Sequence, residues 1–229
     1  MKRAFSIFLL SLFSAFAASP EVEITAEPSH HIAFENQEVR VFQVEVQPHT
    51  ATLLHRHRHD YIFITLGETD ISNEVAGKPP IELKLVDGET HFTAGNFAHV
   101  ARNLSDHPFR NVTIELLEDE KMRSATSRWQ ETSGESAFPG GRIKVLFVKD
   151  GVRVTETDLD PGGTIPSHHH NGPQLVVAIS DLDIRSDIEG QSPILEEFKS
   201  GDVKWRTGGY TNTLTNTGAR EARFVAVEF

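Results

Sequence analysis

Three imidazoles and a carboxylate crowd into one short stretch, His55-Arg56-His57-Arg58-His59-Asp60, directly ahead of the apolar run Tyr61–Leu66. Imidazole nitrogens bind borderline divalent ions at about 2.0–2.1 Å. In an extended chain, residues two apart share a face at roughly 6.6 Å along the backbone, so His55 and His57 can reach one ion. His55 and His59 would be roughly 13 Å apart, which strains ligation by all three from one straight strand. A further ligand must come from elsewhere. His99, in "DGETHFTAGNFAHVARN", opens another short strand, and Gly95 permits a tight approach beside it. Asp60 shares parity with Ile62, Ile64 and Leu66 and is expected to point inward with them if that strand lines a barrel. His55, His57, His99 and Asp60 form a ligand set suited to Fe(II), Mn(II), Zn(II), Ni(II) or Cu(II).

The elements that must position these residues are short and occur twice. Arg40-Val41 with Pro48 is matched by Arg153-Val154 with Pro161, and His55 and His57 fall on His168 and His170, at an offset of 113 residues read directly from the numbering. Gly88, His99, Asn103 and Glu115 fall on Gly201, Asn212, Asn216 and Glu228 at the same offset. In between, Asp60 is expected to align with Gln174 and Gly67 with Asp181, one residue out of that register. A repeat held over this length points to two homologous units. Within each unit the runs are alternating or β-branched: "EVRVFQVEVQ", "YIFITL", "IELKLV" and "NVTIELL", then "RIKVLFV", "VRVTETDL", "QLVVAI" and "RFVAVEF". The fold class is therefore all-β. The polar region 118–139, ending in Pro139-Gly140-Gly141, is expected to be a linker with at most one short helix.

Composition bounds the partners. The first residues, "MKRAFSIFLLSLFSAFAAS", combine Lys2 and Arg3, an apolar run and Ala15-Phe16-Ala17, the pattern of a secretory signal peptide over 1–18. A periplasmic or secreted protein is expected, with no membrane association after cleavage. Removing those two basic residues takes the formal net charge from −11 to −13, which disfavours nucleic acid and anionic lipid as partners. With no cysteine, disulfides, thiolate metal sites and cysteine nucleophiles are excluded.

These residues resemble the two motifs of the cupins, and their duplication resembles a bicupin. The family's first motif is, roughly, glycine, five residues, H-x-H, three or four residues, glutamate, six residues, glycine. Here it reads His55-Arg56-His57, Asp60 and Gly67. The second motif's G-x-x-x-H-x-x-x-N part appears, within one residue of spacing, as Gly95, His99 and Asn103, with Gly88 ahead of it. The carboxylate is Asp where the family has Glu, the gap before it is shorter, and the motif's proline is absent. The resemblance covers about residues 35–116 and 140–229. It implies two tandem jelly-roll β-barrels, domain 1 over 30–117 and domain 2 over 140–229, with one divalent transition metal ion in the first. His59 becomes a substitute ligand or an acid/base group beside the ion, and His59 or Asp60 would move a proton. In the second unit Gln174 and Asn212 stand where a carboxylate and an imidazole would, beside His168 and His170, so divalent-ion affinity there should be weak.

Cupins include dioxygenases, isomerases, decarboxylases and non-catalytic storage or sugar-binding proteins. The expectation is an exported, dioxygenase-like enzyme acting on a small-molecule ligand; the alternative is a non-catalytic binding or sensing module. Jelly-roll sheet edges also allow a homodimer. His30, His31, His49, His91, His107 and His169 lack a partner set in the sequence and are expected to be solvated. Asn103 is expected to close a turn.

Overall fold

The computed structural model describes residues 20–118, 129 and 133–229. The signal segment and most of the expected linker, including its helix, lie outside the described residues. Among the described residues the chain is built of β-strands, with one 3₁₀ turn at Ile24–Ala26.

Four sheets form two pairs. In the first half, one sheet orders its strands Val22–Glu23, His55–His57, Phe97–Asn103, Thr69–Val75, Ile81–Leu85. Its partner orders His30–Glu35, Val39–Val46, Phe109–Leu116, Tyr61–Leu66, Thr90–Thr93. The second half repeats both orders. Thr164–His170, Tyr210–Asn216, Leu182–Ile188 and Ile194–Phe198 form one sheet. Gly141–Lys149, Val152–Leu159, Ala222–Glu228, Gln174–Ala178 and Val203–Arg206 form the other, extended by Gly134–Phe138. This is the jelly-roll arrangement that the family resemblance implied.

The pairing corrects the register expected around Asp60. Tyr61 lies opposite Glu115 and Thr93, while Gln174 lies opposite Glu228 and Arg206. The 113-residue offset therefore runs through this strand unbroken, and Tyr61, not Asp60, is the counterpart of Gln174.

The faces are also reversed from the expectation. Ile62, Ile64 and Leu66 do not line the cavity of the first half. They pack with Val41, Val112 and Ile114 against Val154, Leu175, Val177 and Val227 of the second half in one shared core. Burying such a side chain stabilises by about 1.5–3 kcal/mol. Tyr61 and Phe63, of opposite parity, face the first-half cavity. Polar contacts frame the shared core: Gln43 Nε2 donates to the Gly201 carbonyl at 2.9 Å, and Arg223 reaches Asp87 at 2.6 Å.

Buried asparagines close both units. Asn103 Nδ2 donates to the carbonyls of Val46 (3.0 Å), Gln47 (3.3 Å) and His107 (2.7 Å), while its Oδ1 accepts from Ser105 N–H at 2.9 Å. Asn216 makes the matching bonds to Leu159, Asp160, Arg220 and Gly218. Asn103 is thus a turn-closing residue.

Candidate metal centre

The strand His55–His57 pairs antiparallel with Phe97–Asn103, which sets His55 opposite His99. His57 lies one pleat further on the same face. Their ligating nitrogens lie within 4.8 Å of one another, and His57 Nε2 is 3.2 Å from His99 Nε2. A metal–nitrogen distance of about 2.1 Å puts neighbouring donors about 3.0 Å apart in an octahedron and about 3.4 Å apart in a tetrahedron. The observed spacing falls between these values.

The outer nitrogens fix the orientation of the rings. His55 Nδ1 lies 3.0 Å from the Leu53 carbonyl, and His99 Nδ1 lies 2.7 Å from Asn73 Oδ1. Both acceptors require Nδ1–H, which leaves the Nε2 lone pairs free. His57 Nδ1 faces Glu115 Oε1 at 3.9 Å. The acceptors behind His55 and His99 are the usual supports of metal-binding imidazoles, while Glu115 lies beyond hydrogen-bond distance of His57. His55 Nε2, His57 Nδ1 and Glu115 Oε1 are all buried without a hydrogen-bond partner, and unpartnered buried polar atoms are costly in a finished fold. Of these, His55 Nε2 is the one that a divalent ion shared with His57 Nε2 and His99 Nε2 would satisfy, and the donor set fits such an ion.

Electrostatics agrees with neutral ligands. Burial first, then neighbouring imidazoles, pull His57 down to about 2 and His99 to about 3. His55 falls to about 4 for the same reasons. Burial pushes Glu115 up to about 7, with Arg40 opposing the shift. Neutral imidazole is the form that coordinates a cation.

Asp60 and His59 do not join this group. Asp60 Oδ1 accepts from Gly95 N–H at 2.9 Å, and neither residue lines the cavity. Here Gly95 is required for closeness: a Cβ would collide with the His59 carbonyl. Arg56 and Arg58 point outward and pair with Glu21 and Glu23.

Three residues missed in the sequence complete the surroundings. His30 is not solvated: at 9% exposure it packs 4.7 Å from the His55 ring. Its Nδ1 lies 2.6 Å from Glu27 Oε2, and Glu27 is itself buried. Burial works against the Glu27 charge. Hydrogen bonds from His30 and from the Leu53 and Ser29 amides nonetheless hold this carboxyl below its ordinary range. His91 is exposed, as expected, while its ring also lines the cavity, 2.6 Å from Glu89. Glu115, seen in the sequence only as a repeated position opposite Glu228, is the carboxylate of this site, but behind His57 and not on the ion. The signal that could have found it is its pairing: Arg40–Glu115 and Arg153–Glu228 are the same ion pair 113 residues apart.

The triad closes one end of a cavity of about 370 Å³. Its walls are largely apolar, with Tyr61 stacked 4.1 Å from His57 and Phe97 at 5.9 Å from the same ring. Tyr61 is raised to about 12 by burial, so it is a neutral phenol there.

The second half matches the first at one corresponding position and differs at the others. His168 Nδ1 lies 2.8 Å from the Pro166 carbonyl, as His55 does with Leu53. His170, however, accepts at Nδ1 from Gln174 Nε2 (3.1 Å), so its Nε2 carries the proton and donates to Asn212 Oδ1 at 3.2 Å. The nitrogen that would bind an ion is a hydrogen-bond donor here. Among the described residues the only group of three or more potential ligands is His55, His57 and His99.

No protein-family model matches the chain, and no curated protein matches it. Solved structures do. Oxalate decarboxylase from Bacillus subtilis superposes with a TM-score of 0.62 at 10% identity, over 88% of this chain and 74% of that one. Vicilin from Capsicum annuum gives 0.65 at 12% identity, over 83% and 75%. Tomato vicilin gives 0.62 at 12%, over 83% and 74%. At such identity the likeness speaks to architecture alone, and what this chain shares with these proteins is the cupin-type jelly-roll fold.

Proposed function

We propose that this chain is an exported metal-dependent enzyme, dioxygenase-like, acting on a small molecule held in the first-half cavity. The observation that carries the reading is the convergence of the His55, His57 and His99 imidazoles on an apolar cavity, with Nδ1 of His55 and His99 held from behind. His55, His57 and His99 would hold the ion, which is one of Fe, Mn, Ni, Cu or Zn. When bound, it supplies Lewis-acid polarisation and, for a redox-active metal, one-electron chemistry.

The chain's own residues do the rest. Three neutral ligands leave the ion's charge uncompensated, which favours an anionic, chelating substrate. Tyr61, Phe63 and Phe97 offer flat apolar contacts and exclude water. His30, braced by Glu27, is the nearest further imidazole and is placed to exchange a proton with a substrate, the role first assigned to His59 or Asp60. The N-terminal segment supports a periplasmic or extracytoplasmic location.

A non-catalytic binding role is the second reading, supported by the likeness to vicilins. The Bacillus subtilis decarboxylase has Mn(II) centres, so oxalate and Mn(II) belong among the probes. The test is oxygen uptake and product formation by protein loaded with each metal, against catechols, flavonols and oxalate. Turnover that needs the metal and disappears in His99→Ala supports the enzyme. Stoichiometric metal with no turnover of any probe favours the binding role.

A further inference from the structure

The second half contains a cavity of about 440 Å³ with its own chemistry. Arg153, Glu228, Gln174 and Arg206 stand opposite one another on four neighbouring strands of its inner wall. The matching row in the first half is Arg40, Glu115, Tyr61 and Thr93. An arginine has thus entered the cavity wall where the first half has a threonine.

Its charge is not cancelled. Arg206, with a side chain 13% exposed, gives Nη2 to Glu196. The same carboxylate accepts from Lys204 Nζ at 2.5 Å. Glu196 therefore faces two cations, and the group keeps one positive charge. Glu228, the other acid in the row, is matched by Arg153 at 2.5 Å. Among the described residues, Arg206 Nε and Nη1 have no protein acceptor. Tyr210 lines the same end and accepts from Gln174 Nε2 at 2.7 Å, which leaves its phenolic proton to be donated. Beyond this end the cavity is walled by Ile165, Leu182, Phe198 and Phe224.

We propose that the second half binds a small amphipathic carboxylate, its head on the Arg206 guanidinium and the Tyr210 hydroxyl and its body among Ile165, Phe198 and Phe224. The guanidinium's planar fork matches a carboxylate in geometry and charge, and an enclosed apolar cavity with a few convergent polar groups is the usual form of a small-molecule site. This site needs no metal and is independent of the centre in the first half.

The test is calorimetric titration of the full chain, in chelator, with phenylacetate and octanoate and with the uncharged 2-phenylethanol and octan-1-ol. One saturable carboxylate site per chain is expected, preferred over the alcohol by about tenfold or more, as a charge-assisted contact requires. Arg206→Gln should weaken it by about tenfold or more, and Arg206→Lys, which keeps charge but loses the fork, by less. Thermal melts of both variants verify folding. The His55→Ala/His99→Ala variant should bind as the parent does. Absence of saturable binding overturns the proposal. So does equal affinity for acid and alcohol, an Arg206→Gln protein that binds like the parent, or loss of binding in the first-half variant.

Discussion

Neutral buried imidazoles make the metal-free protein sensitive to acid, and the size of that effect follows from the site. Burial first, then neighbouring imidazoles, lowers His55 to about 4 and His99 to about 3 in the folded chain, against an ordinary value of 6.5. Their folded pKa values are lowered, so the unfolded chain binds protons first and stability is lost as pH falls from about 6.5 toward 4. At pH 5.5 each unfolded imidazole holds about 0.9 proton and each folded one almost none. Two such groups give a slope of about 2.4 kcal/mol per pH unit, and about 4 kcal/mol between pH 7.5 and 5. Glu115 works in the opposite direction, since its folded pKa is raised, but it is present in both proteins compared and cancels. The perturbation is His55→Gln/His99→Gln. The assay is urea unfolding of parent and variant in chelator from pH 5 to 7.5. The stability of the parent should fall more steeply by about the stated slope. Parallel curves would refute the claim that these rings are buried and neutral.

Three further outcomes follow from the same geometry. Glu115→Gln should weaken metal binding by about 10–100-fold in a chelator competition while the fold persists, because it removes the ionisable carboxyl behind His57. Asp60→Ala should lower stability by about 1 kcal/mol through loss of its bond to Gly95 N–H, yet retain one ion per chain by elemental analysis. Asn103→Ala should cost about 2–4 kcal/mol in urea unfolding, since it removes the bonding partner of three carbonyls and one amide at a buried position.

The repeat made two homologous all-β units legible, the resemblance supplied the jelly roll, and the H-x-H pair with His99 made the triad legible, because strand periodicity and ligand chemistry both act locally. Asp60 was misread for a physical reason. "YIFITL" is apolar on both faces, one toward the cavity and one toward the other half of the chain, so alternation could not say which face lines the site. Ile62 and Ile64 look like cavity wall in the sequence and serve as the seam between halves in the fold. His30, Glu27 and Glu115 were invisible for a different reason. Each acquires its role from strands distant in sequence, and an isolated histidine or glutamate carries no spacing signal. In the second half the difference was readable at Asn212, which stands where the first half has His99, but Gln174 stands in place of Tyr61 and not of a ligand, and the reversed His170 tautomer depends on hydrogen bonds that only the fold supplies.

The most direct test is anomalous diffraction at the metal edge from crystals of protein purified without chelator. One peak about 2.1 Å from Nε2 of His55, His57 and His99, with none between His168 and His170, is the predicted result. Density absent from the triad, or centred on Asp60 or in the second half, would contradict it.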